Sequence, residues 1–351
     1  MPNTRFKISA IYDHLGRFLY DHPRRAKALF DLETKLVRSE LPKNCRAPVY
    51  ITGLARAGTT LMLEILDRGD LFTSTRYSDY PLTAAPVLGH FIRRFMPAGD
   101  SKSVERIHKD GLKVTPDSPE AMEPVIWRII SETKANTDLY RDFVRKIVHI
   151  RGGERYLTKN NHLLTELGGV YTTFPDAHIV CMIREPLTHI ASLVRQHNRF
   201  CELQAADPRL RRYMLWTGHT EFGLDVAPPA ILTAEDQALF RRYMHADQPD
   251  QAYAVAWNGV YQTVDRLRRG ELKSLEGLEL TVLKYEDLCE CPDRTIGDLL
   301  KELGENQLIK PLGRYARERV HLPKKPDMDR FDLNIIRQII GRTAQKFGYS
   351  V

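Results

Sequence analysis

The stretch from Pro48 to Leu63 reads PVYITGLARAGTTLML. An apolar run of strand type ends at Gly53, a short turn follows, and a helical pattern begins at Thr59. The backbone N–H groups of such a turn, together with the positive end of the helix, form an anion site. The spacing from Gly53 to Gly58 is that of a phosphate-binding loop, and a chance glycine-rich turn is the alternative reading.

The turn departs from the phosphate loop of nucleoside triphosphatases at a decisive position. Those loops end in Gly-Lys-Ser/Thr, with the lysine on the β- and γ-phosphates and the hydroxyl on Mg²⁺. Here Thr59 occupies the lysine position, Thr60 follows it, and the cation is Arg56 inside the turn. The turn therefore favours a terminal phosphate or phosphosulfate bound without a metal over triphosphate chemistry.

The composition is that of a globular protein with an excess of positive charge. The chain has 351 residues, of which 42% are apolar and 28% charged, enough for one large domain or two smaller ones. The net charge of +7 fits an anionic ligand, and also nucleic acid or a membrane surface. Lysines and arginines are scattered rather than gathered in a tail, which favours a mixed, solvated surface.

The sequence predicts a cytoplasmic protein. The segment from Met1 to Ala10 has no apolar core followed by a small-residue cleavage site. No apolar run approaches the ~20 residues that span a bilayer. The five cysteines are odd in number and lack zinc-ribbon spacing, so we expect reduced thiols and no metal.

Strand and helix patterns alternate along the chain. Apolar strand patterns at 49–52, 178–183 and 278–283 are each followed by polar residues. The alternation predicts a three-layer α/β fold, with a central, mostly parallel sheet and helices on both faces. Ligands in such sheets bind at the carboxyl ends of the strands. The polar clusters expected at those ends are 53–60, 158–162, 184–192 and 284–287.

The rest of the chain is divided by composition. Residues 1–46 carry a helical pattern interrupted at Pro23 and are predicted to form a helical arm, packed on the main domain or contributing to a dimer interface. Residues 47–351 are predicted to form the main domain. The polar, proline-containing segment 203–250 is predicted to be an insertion or lid. The apolar stretch 82–95 is predicted to be irregular and to line an acceptor pocket.

A second motif follows the strand pattern at 178–183. It consists of Arg184-Glu185-Pro186, with Ser192 eight residues after the arginine. Eight residues make about two helical turns, so the two side chains converge only if the backbone between them bends. Taken alone, Arg184 also fits a salt bridge at a helix end and Ser192 a neutral helix position.

Four segments together resemble sulfotransferases that use 3′-phosphoadenosine 5′-phosphosulfate (PAPS). Residues 53–61 closely resemble that family's 5′-phosphosulfate loop. Residues 183–186 with Ser192 resemble its 3′-phosphate site, and residues 283–288 are similar to a third recurring segment. Residues 156–162 resemble the Lys-x-x-His segment of the branch whose loop carries arginine. The resemblance implies a fold like that of P-loop nucleoside triphosphatases, and sulfuryl transfer from PAPS to a hydroxyl or amine.

The resemblance also implies where the donor binds. The implied donor-binding residues are Gly53, Arg56, Ala57, Gly58, Thr59, Thr60, Arg184, Ser192 and Tyr285. Ala55 and Ala57 replace the usual proline and serine of the loop, which removes one hydroxyl contact and leaves the backbone cradle. Because negative charge grows on the bridging oxygen, Arg56 is the expected leaving-group cation, with Lys159 as a second candidate.

The acceptor requires a base, and the sequence offers two candidates. Asp79 lies 23 residues beyond Arg56, near the offset at which the resembling branch carries a glutamate, and an Asx-turn before Pro81 is its alternative role. His162 is the secondary candidate, acting as a base or orienting the loop. The basic segment 323–326 either closes over the 3′-phosphate or is simply solvated.

The sequence leaves the acceptor and two other function classes open. The apolar stretch 82–95 suggests a lipid, polyketide or aromatic alcohol as acceptor, whereas its Tyr- and His-rich surroundings also suit a sugar or a peptide tyrosine. An unusual P-loop kinase or nucleotide hydrolase is one alternative, and a non-catalytic protein with a nucleotide fold is another. No partner other than a small-molecule, lipid or glycan acceptor and a possible second copy is expected.

Overall fold

The structure is a computed structural model that describes residues 8–95, 103–109, 111–322 and 326–351. The α-helices in these ranges are α1 (Ala10–Tyr20), α2 (Pro23–Val37), α3 (Thr59–Asp67), α4 (Pro86–Phe95), α5 (Glu123–Thr133), α6 (Asp138–Arg151), α7 (Leu163–Thr173), α8 (Pro186–Ala206), α9 (Pro208–Trp216), α10 (Ala234–His245), α11 (Pro249–Arg268), α12 (Tyr285–Glu290), α13 (Pro292–Glu302), α14 (Ile309–Arg319) and α15 (Leu333–Lys346). The strands are β1 (Arg46–Thr52), β2 (Phe72–Thr73), β3 (Val104–Glu105), β4 (Lys113–Val114), β5 (Arg155–Lys159), β6 (His178–Ile183) and β7 (Glu279–Lys284). Within the described ranges, no helix has the length and apolar character needed to cross a membrane.

Five strands form one sheet in the order β2-β5-β1-β6-β7. Its pairings are parallel: Val49 lies opposite His178, and His178 lies opposite Glu279. All six residues of β6 are buried, which explains the continuous apolar run in their sequence, because a central parallel strand is covered on both faces. The predicted α/β class with a mostly parallel central sheet is confirmed. A separate antiparallel pair joins β3 and β4.

The chain clusters into two compact units. The first comprises 1–48, 70–158 and 203–219, and the second comprises 49–69, 159–202 and 220–351. The predicted boundaries at 46 and 47, and the lid role of 203–250, stay predictions.

A buried ion pair joins two helices of the first unit. Lys146 Nζ lies 3.0 Å from Glu33 Oε2 and 3.5 Å from the centroid of the Phe30 ring. Burial lowers the pKa of Lys146, and the Glu33 carboxylate opposes that shift. The pair ties α6 to α2, so the two N-terminal helices expected from the sequence are present and packed within this unit.

The prediction that the stretch 82–95 is irregular is wrong. Most of it is the regular helix α4, and its large apolar side chains are exposed rather than enclosed. Pro86 stands at the start of α4, where the missing N–H is not needed, so this proline begins the helix instead of breaking it.

The second unit contains the carboxyl ends of β1, β5, β6 and β7. Tyr261, buried on α11, donates from its hydroxyl to the carbonyl of Met182 at 3.0 Å and so fixes α11 against the end of β6. The loops that follow β1, β5, β6 and β7 all begin at the carboxyl ends of these strands.

Candidate active site

The loop after β1 has a backbone that its glycines permit. Gly53 has a φ of 126°, and a Cβ atom there would lie 2.3 Å from the carbonyl oxygen of Met182. Gly58 has a φ of 95°, and a Cβ atom there would lie 2.5 Å from the Tyr285 ring. Close approach to β6 and to Tyr285 therefore requires glycine at both positions. Arg56 is also left-handed, with a φ of 73°, an uncommon conformation for a residue with a side chain.

The loop leads directly into the start of α3. Gly58 is the N-cap of this helix and has no side chain with which to cap it. The first N–H groups of the helix and its positive dipole end are thus available to an anion. Thr59 is buried and its hydroxyl donates to Asn161 Oδ1 at 3.3 Å, whereas Thr60 is half-buried.

The structure brings the second motif to the loop. Arg184 donates from Nη1 to the carbonyl of Arg56 at 3.2 Å, and Arg56 donates from Nε to the hydroxyl of Ser192 at 3.4 Å. The bend needed for convergence occurs between β6 and α8. Arg56, Arg184 and Ser192 thereby form one cationic cluster beside the start of α3.

Arg184 is held between the loop and Tyr285. Its guanidinium lies over the Tyr285 ring, 5.2 Å from the centroid, and Tyr285 itself packs on Gly58. Its Nε atom is buried and makes no hydrogen bond within the described ranges. Burial lowers the pKa of Arg184, and the neighbouring Arg56 adds to the shift. A buried guanidinium with an unsatisfied donor is suited to an anionic ligand.

The glutamate of the second motif has a structural role. Glu185 accepts hydrogen bonds from the backbone N–H groups of Leu187 at 3.0 Å and Thr188 at 2.7 Å, and so caps α8. Its own backbone N–H donates to Glu286 Oε1 at 2.9 Å. Glu286 also accepts from the Tyr349 hydroxyl at 2.8 Å.

The end of β5 is tied to the end of β1. The N–H of Asn160 donates to the carbonyl of Ile51, and the Thr52 hydroxyl donates to the carbonyl of Asn160, both at 2.9 Å. Lys159, the last residue of β5, is buried immediately before this junction. The predicted Lys-x-x-His segment therefore begins beside the loop, and His162 follows as the N-cap of α7.

Glu221 is a site residue that sequence reasoning missed. Its Oε1 accepts from Asn161 Nδ2 at 2.8 Å and lies 3.8 Å from His162 Nε2. Asn161 in turn accepts from Thr59, so Glu221 is linked to α3 through one side chain. No local signal marks Glu221, which lies 60 residues from Asn161 inside the segment predicted to be an insertion.

His189 is a second residue that the sequence did not reveal. Its Nε2 lies 2.8 Å from the carbonyl oxygen of Ala55, and its side chain is fully buried on α8. Burial, together with the charge of Arg184, lowers the pKa of His189 to about 3. The ring is therefore neutral near pH 7, and Nε2 carries the proton because a carbonyl can only accept. His189 thus holds the middle of the loop.

Asp79 lies in the first unit, where it is engaged in ion pairs. Its buried carboxylate accepts from Arg93 at 2.8 Å, Arg151 at 2.6 Å and the backbone N–H of Arg76 at 2.7 Å. The role of Asp79 as a base stays a prediction. The basic segment 323–326 falls mostly outside the described residues.

Part of the chain matches a known family, and the fold is similar to that of solved structures. Residues 48–221 match the family model described as "Sulfotransferase family". Among solved structures, the chain is similar to sulfotransferase STF9 from Mycobacterium avium, with a TM-score of 0.56 and 12% identity over 99% of this chain and 89% of that one. It also aligns with sulfotransferase STF1 from Mycobacterium tuberculosis H37Rv, with a TM-score of 0.49 and 14% identity over 97% and 87%. No curated protein matches the chain significantly in sequence. The likeness to STF9 concerns the fold.

Proposed function

Because residues 48–221 belong to the sulfotransferase family, we propose that this protein transfers a sulfuryl group from PAPS to a hydroxyl or amine acceptor. The observation that carries the proposal is the cluster of Arg56, Arg184 and Ser192 beside the uncapped start of α3. A donor with a phosphate group on both the 3′ and the 5′ position of its ribose needs two anion sites, and we propose that the cluster and the start of α3 provide them. The family resemblance of the four segments supports the same donor.

The donor-binding roles divide between the loop and α8. The backbone of Gly53, Ala57 and Gly58, with the N–H groups of Thr59 and Thr60, is proposed to cradle the 5′-phosphosulfate. Arg184 and Ser192 are proposed to hold the 3′-phosphate. Tyr285, whose ring packs on Gly58 and against the Arg184 guanidinium, is proposed to contact the nucleotide.

The leaving group is proposed to be stabilised by cations. In the reaction the S–O bond to the phosphate breaks, an S–O or S–N bond to the acceptor forms, and 3′-phosphoadenosine 5′-phosphate (PAP) departs with the bonding electrons. Arg56, inside the loop, and Lys159, at the end of β5, are the proposed partners of the bridging oxygen. Positioned cations of this kind act without a metal ion.

The proton released by the acceptor is proposed to pass to His162. His162 is half-buried, and Glu221 lies behind its Nε2 atom, which leaves Nδ1 as the nitrogen that accepts the proton. Glu221 stabilises the imidazolium that forms. Asp79, the first candidate from the sequence, is less suited, because its carboxylate is already engaged by Arg93 and Arg151.

The acceptor is proposed to be a small molecule, lipid or glycan with a free hydroxyl or amine. A cytoplasmic location belongs to the same proposal.

Binding of PAP tests the donor site. We expect saturating PAP to raise Tm by several degrees, because a ligand at 100 times its Kd stabilises the folded state by about 2.7 kcal/mol. Arg184→Ala should abolish this shift. The matched control is Arg195→Ala, which removes the same charge from an exposed position on α8, one turn beyond Ser192. Absence of a shift in the unaltered protein would contradict the proposal.

Turnover tests the chemistry. Incubation with ³⁵S-labelled PAPS and a cell extract should label a product, and Arg56→Ala should lower the rate about 100-fold or more. Arg56→Lys, which keeps a cation, should recover part of it. Mg²⁺-dependent ATP turnover without sulfuryl transfer would instead identify a kinase or hydrolase, and PAP binding without transfer would identify a non-catalytic protein.

A further inference from the structure

An apolar groove runs between α2 and α4 in the first unit. Its volume is about 260 Å³, and its exposed lining consists of apolar atoms from residues that include Leu32, Leu36, Leu88 and Phe91. Leu36 is 72% exposed and Phe91 is 59% exposed. Single exposed apolar residues are common on protein surfaces, but a contiguous apolar patch marks an interaction site.

Both helices direct an apolar stripe outward. On α4 the exposed residues Leu88, Phe91, Ile92 and Phe95 recur at helical spacing, and the rings of Phe91 and Phe95 pack edge to face at 4.8 Å between centroids. On α2 the stripe continues through Leu32 and Leu36. These side chains are therefore a surface feature of two neighbouring helices.

The floor of the groove is fixed by buried polar contacts. Glu33 of α2 accepts from the backbone N–H of Leu88 on α4 at 2.7 Å. The charge of Glu33 is matched by Lys146, at 3.0 Å. The groove thus has defined walls and a floor that is neutral overall.

Exposed cations, here called the rim, follow or precede the apolar residues of both helices in sequence. Arg94 and Lys35 are exposed beside Phe95 and Leu36, and Lys and Arg outnumber acidic residues on these two helices. Asp31, the exposed acidic residue of α2, is engaged by Lys27 at 2.6 Å. Apolar residues bordered by cations have the chemistry of a surface that lies on an anionic bilayer.

The charge of the rim also argues against a second copy as occupant. A two-fold dimer through this face would bring Arg94 and Lys35 of one copy toward the same cations of the other. Like charges across an interface oppose association, whereas anionic headgroups neutralise them.

We propose that the α2–α4 face binds the surface of an anionic lipid membrane. Phe91, Phe95 and Leu36 enter the boundary between headgroups and acyl chains, and Arg94 and Lys35 contact the headgroups. The proposal does not depend on the reaction that the loop region catalyses. Membrane binding through this face would bring the protein to an acceptor that is carried by a lipid.

Co-sedimentation with vesicles tests the proposal. We expect the full chain to bind phosphatidylcholine vesicles containing about 30 mol% phosphatidylglycerol, to bind pure phosphatidylcholine weakly, and to dissociate as salt is raised. Phe91→Ser with Phe95→Ser should weaken binding by about ten-fold or more. The matched control is Ile11→Ser with Phe18→Ser, since these α1 residues are 75% and 55% exposed and lie outside the groove lining.

A second pair of variants removes charge and leaves the apolar residues in place, which makes it an independent test. Arg94→Ala with Lys35→Ala should weaken binding to anionic vesicles and leave the weak binding to neutral vesicles unchanged. Equal binding to both kinds of vesicle, or an equal loss in the α1 control, would overturn the proposal. It would also be overturned by a dimer in light scattering that Phe91→Ser with Phe95→Ser dissociates, because a second copy would then cover the face.

Discussion

The Nε2 atom of His162 lies 3.8 Å from Oε1 of Glu221, and the same oxygen accepts a hydrogen bond from Asn161. A carboxylate behind an imidazole fixes the ring and stabilises its protonated form. We expect Glu221→Gln to lower kcat about 10- to 100-fold, because the amide keeps the shape and removes the charge. PAP affinity should stay within about two-fold, since Asn161 rather than Glu221 contacts Thr59. Kinetics and calorimetry on the same variant measure the two effects.

Two further variants separate catalysis from folding at Glu221. Glu221→Asp, which restores the charge, should recover part of kcat. Tyr253→Phe removes the hydroxyl that donates to the backbone carbonyl of Glu221 at 2.7 Å and should leave kcat nearly unchanged. A parallel fall of kcat and PAP affinity in Glu221→Gln would indicate a purely structural contact.

Gly58 should be intolerant of a methyl group. Gly58→Ala combines a left-handed backbone, which costs about 1–2 kcal/mol, with overpacking against Tyr285, which costs about 1–3 kcal/mol more. Gly270→Ala is the matched control, because Gly270 has a φ of 67° and nothing within 4 Å of its Cβ position. Denaturant titration should show the larger loss for Gly58→Ala, with weaker PAP binding in that variant alone. Equal losses would mean that the Tyr285 contact has no energetic weight.

Asp79 should matter more for stability than for catalysis. Asp79→Asn leaves Arg93 and Arg151 without their shared carboxylate, and breaking a buried pair costs about 3–5 kcal/mol. The exposed pair of Asp138 with Arg141, at 2.6 Å, is the control, and Asp138→Asn should cost less than about 1 kcal/mol. Activity per folded molecule of Asp79→Asn should remain within a few-fold of wild type. A loss above 100-fold in folded protein would restore Asp79 as the base.

His189 should make stability depend on pH. Because the pKa of His189 is lowered to about 3 in the folded state, the unfolded chain binds the proton more tightly. The neutral ring therefore contributes its full share to the free energy of unfolding above the unfolded pKa near 6.5. This share is lost as pH falls toward 3, at up to about 1.4 kcal/mol per pH unit. His189→Gln keeps an N–H donor without a titration, so its denaturation midpoints should fall less between pH 7.5 and 5.5. His245→Gln, on the exposed surface of α10, should keep the wild-type slope.

The sequence was most informative where one local pattern determines the structure. The apolar run of β6 occupies its predicted position, 178–183, because a strand that is buried on both faces can be recognised without knowledge of its neighbours. The loop from Gly53 to Gly58 could be predicted equally well, because its backbone needs glycine at both positions. The prediction that 82–95 is irregular is wrong, because the proline within this stretch, Pro86, is compatible with the first position of a helix.

The remaining site residues depend on contacts between distant segments. Asn161 and Glu221 are 60 residues apart, and Ala55 and His189 are 134 residues apart. Neither Glu221 nor His189 belongs to a pattern that a periodicity or a spacing can detect. Their roles follow from the order in which parallel strands are placed side by side, which brings the ends of β1, β5 and β6 together.

The cap that Glu185 places on α8 makes the two helix starts in this region electrostatically unequal. The first N–H groups of α8 face a carboxylate of their own chain, whereas α3 begins at a glycine that offers none. An incoming anion is repelled from one helix end and attracted to the other. For the proposed donor, the Glu185 carboxylate therefore makes α3 rather than α8 the favoured helix start for the 5′-phosphosulfate.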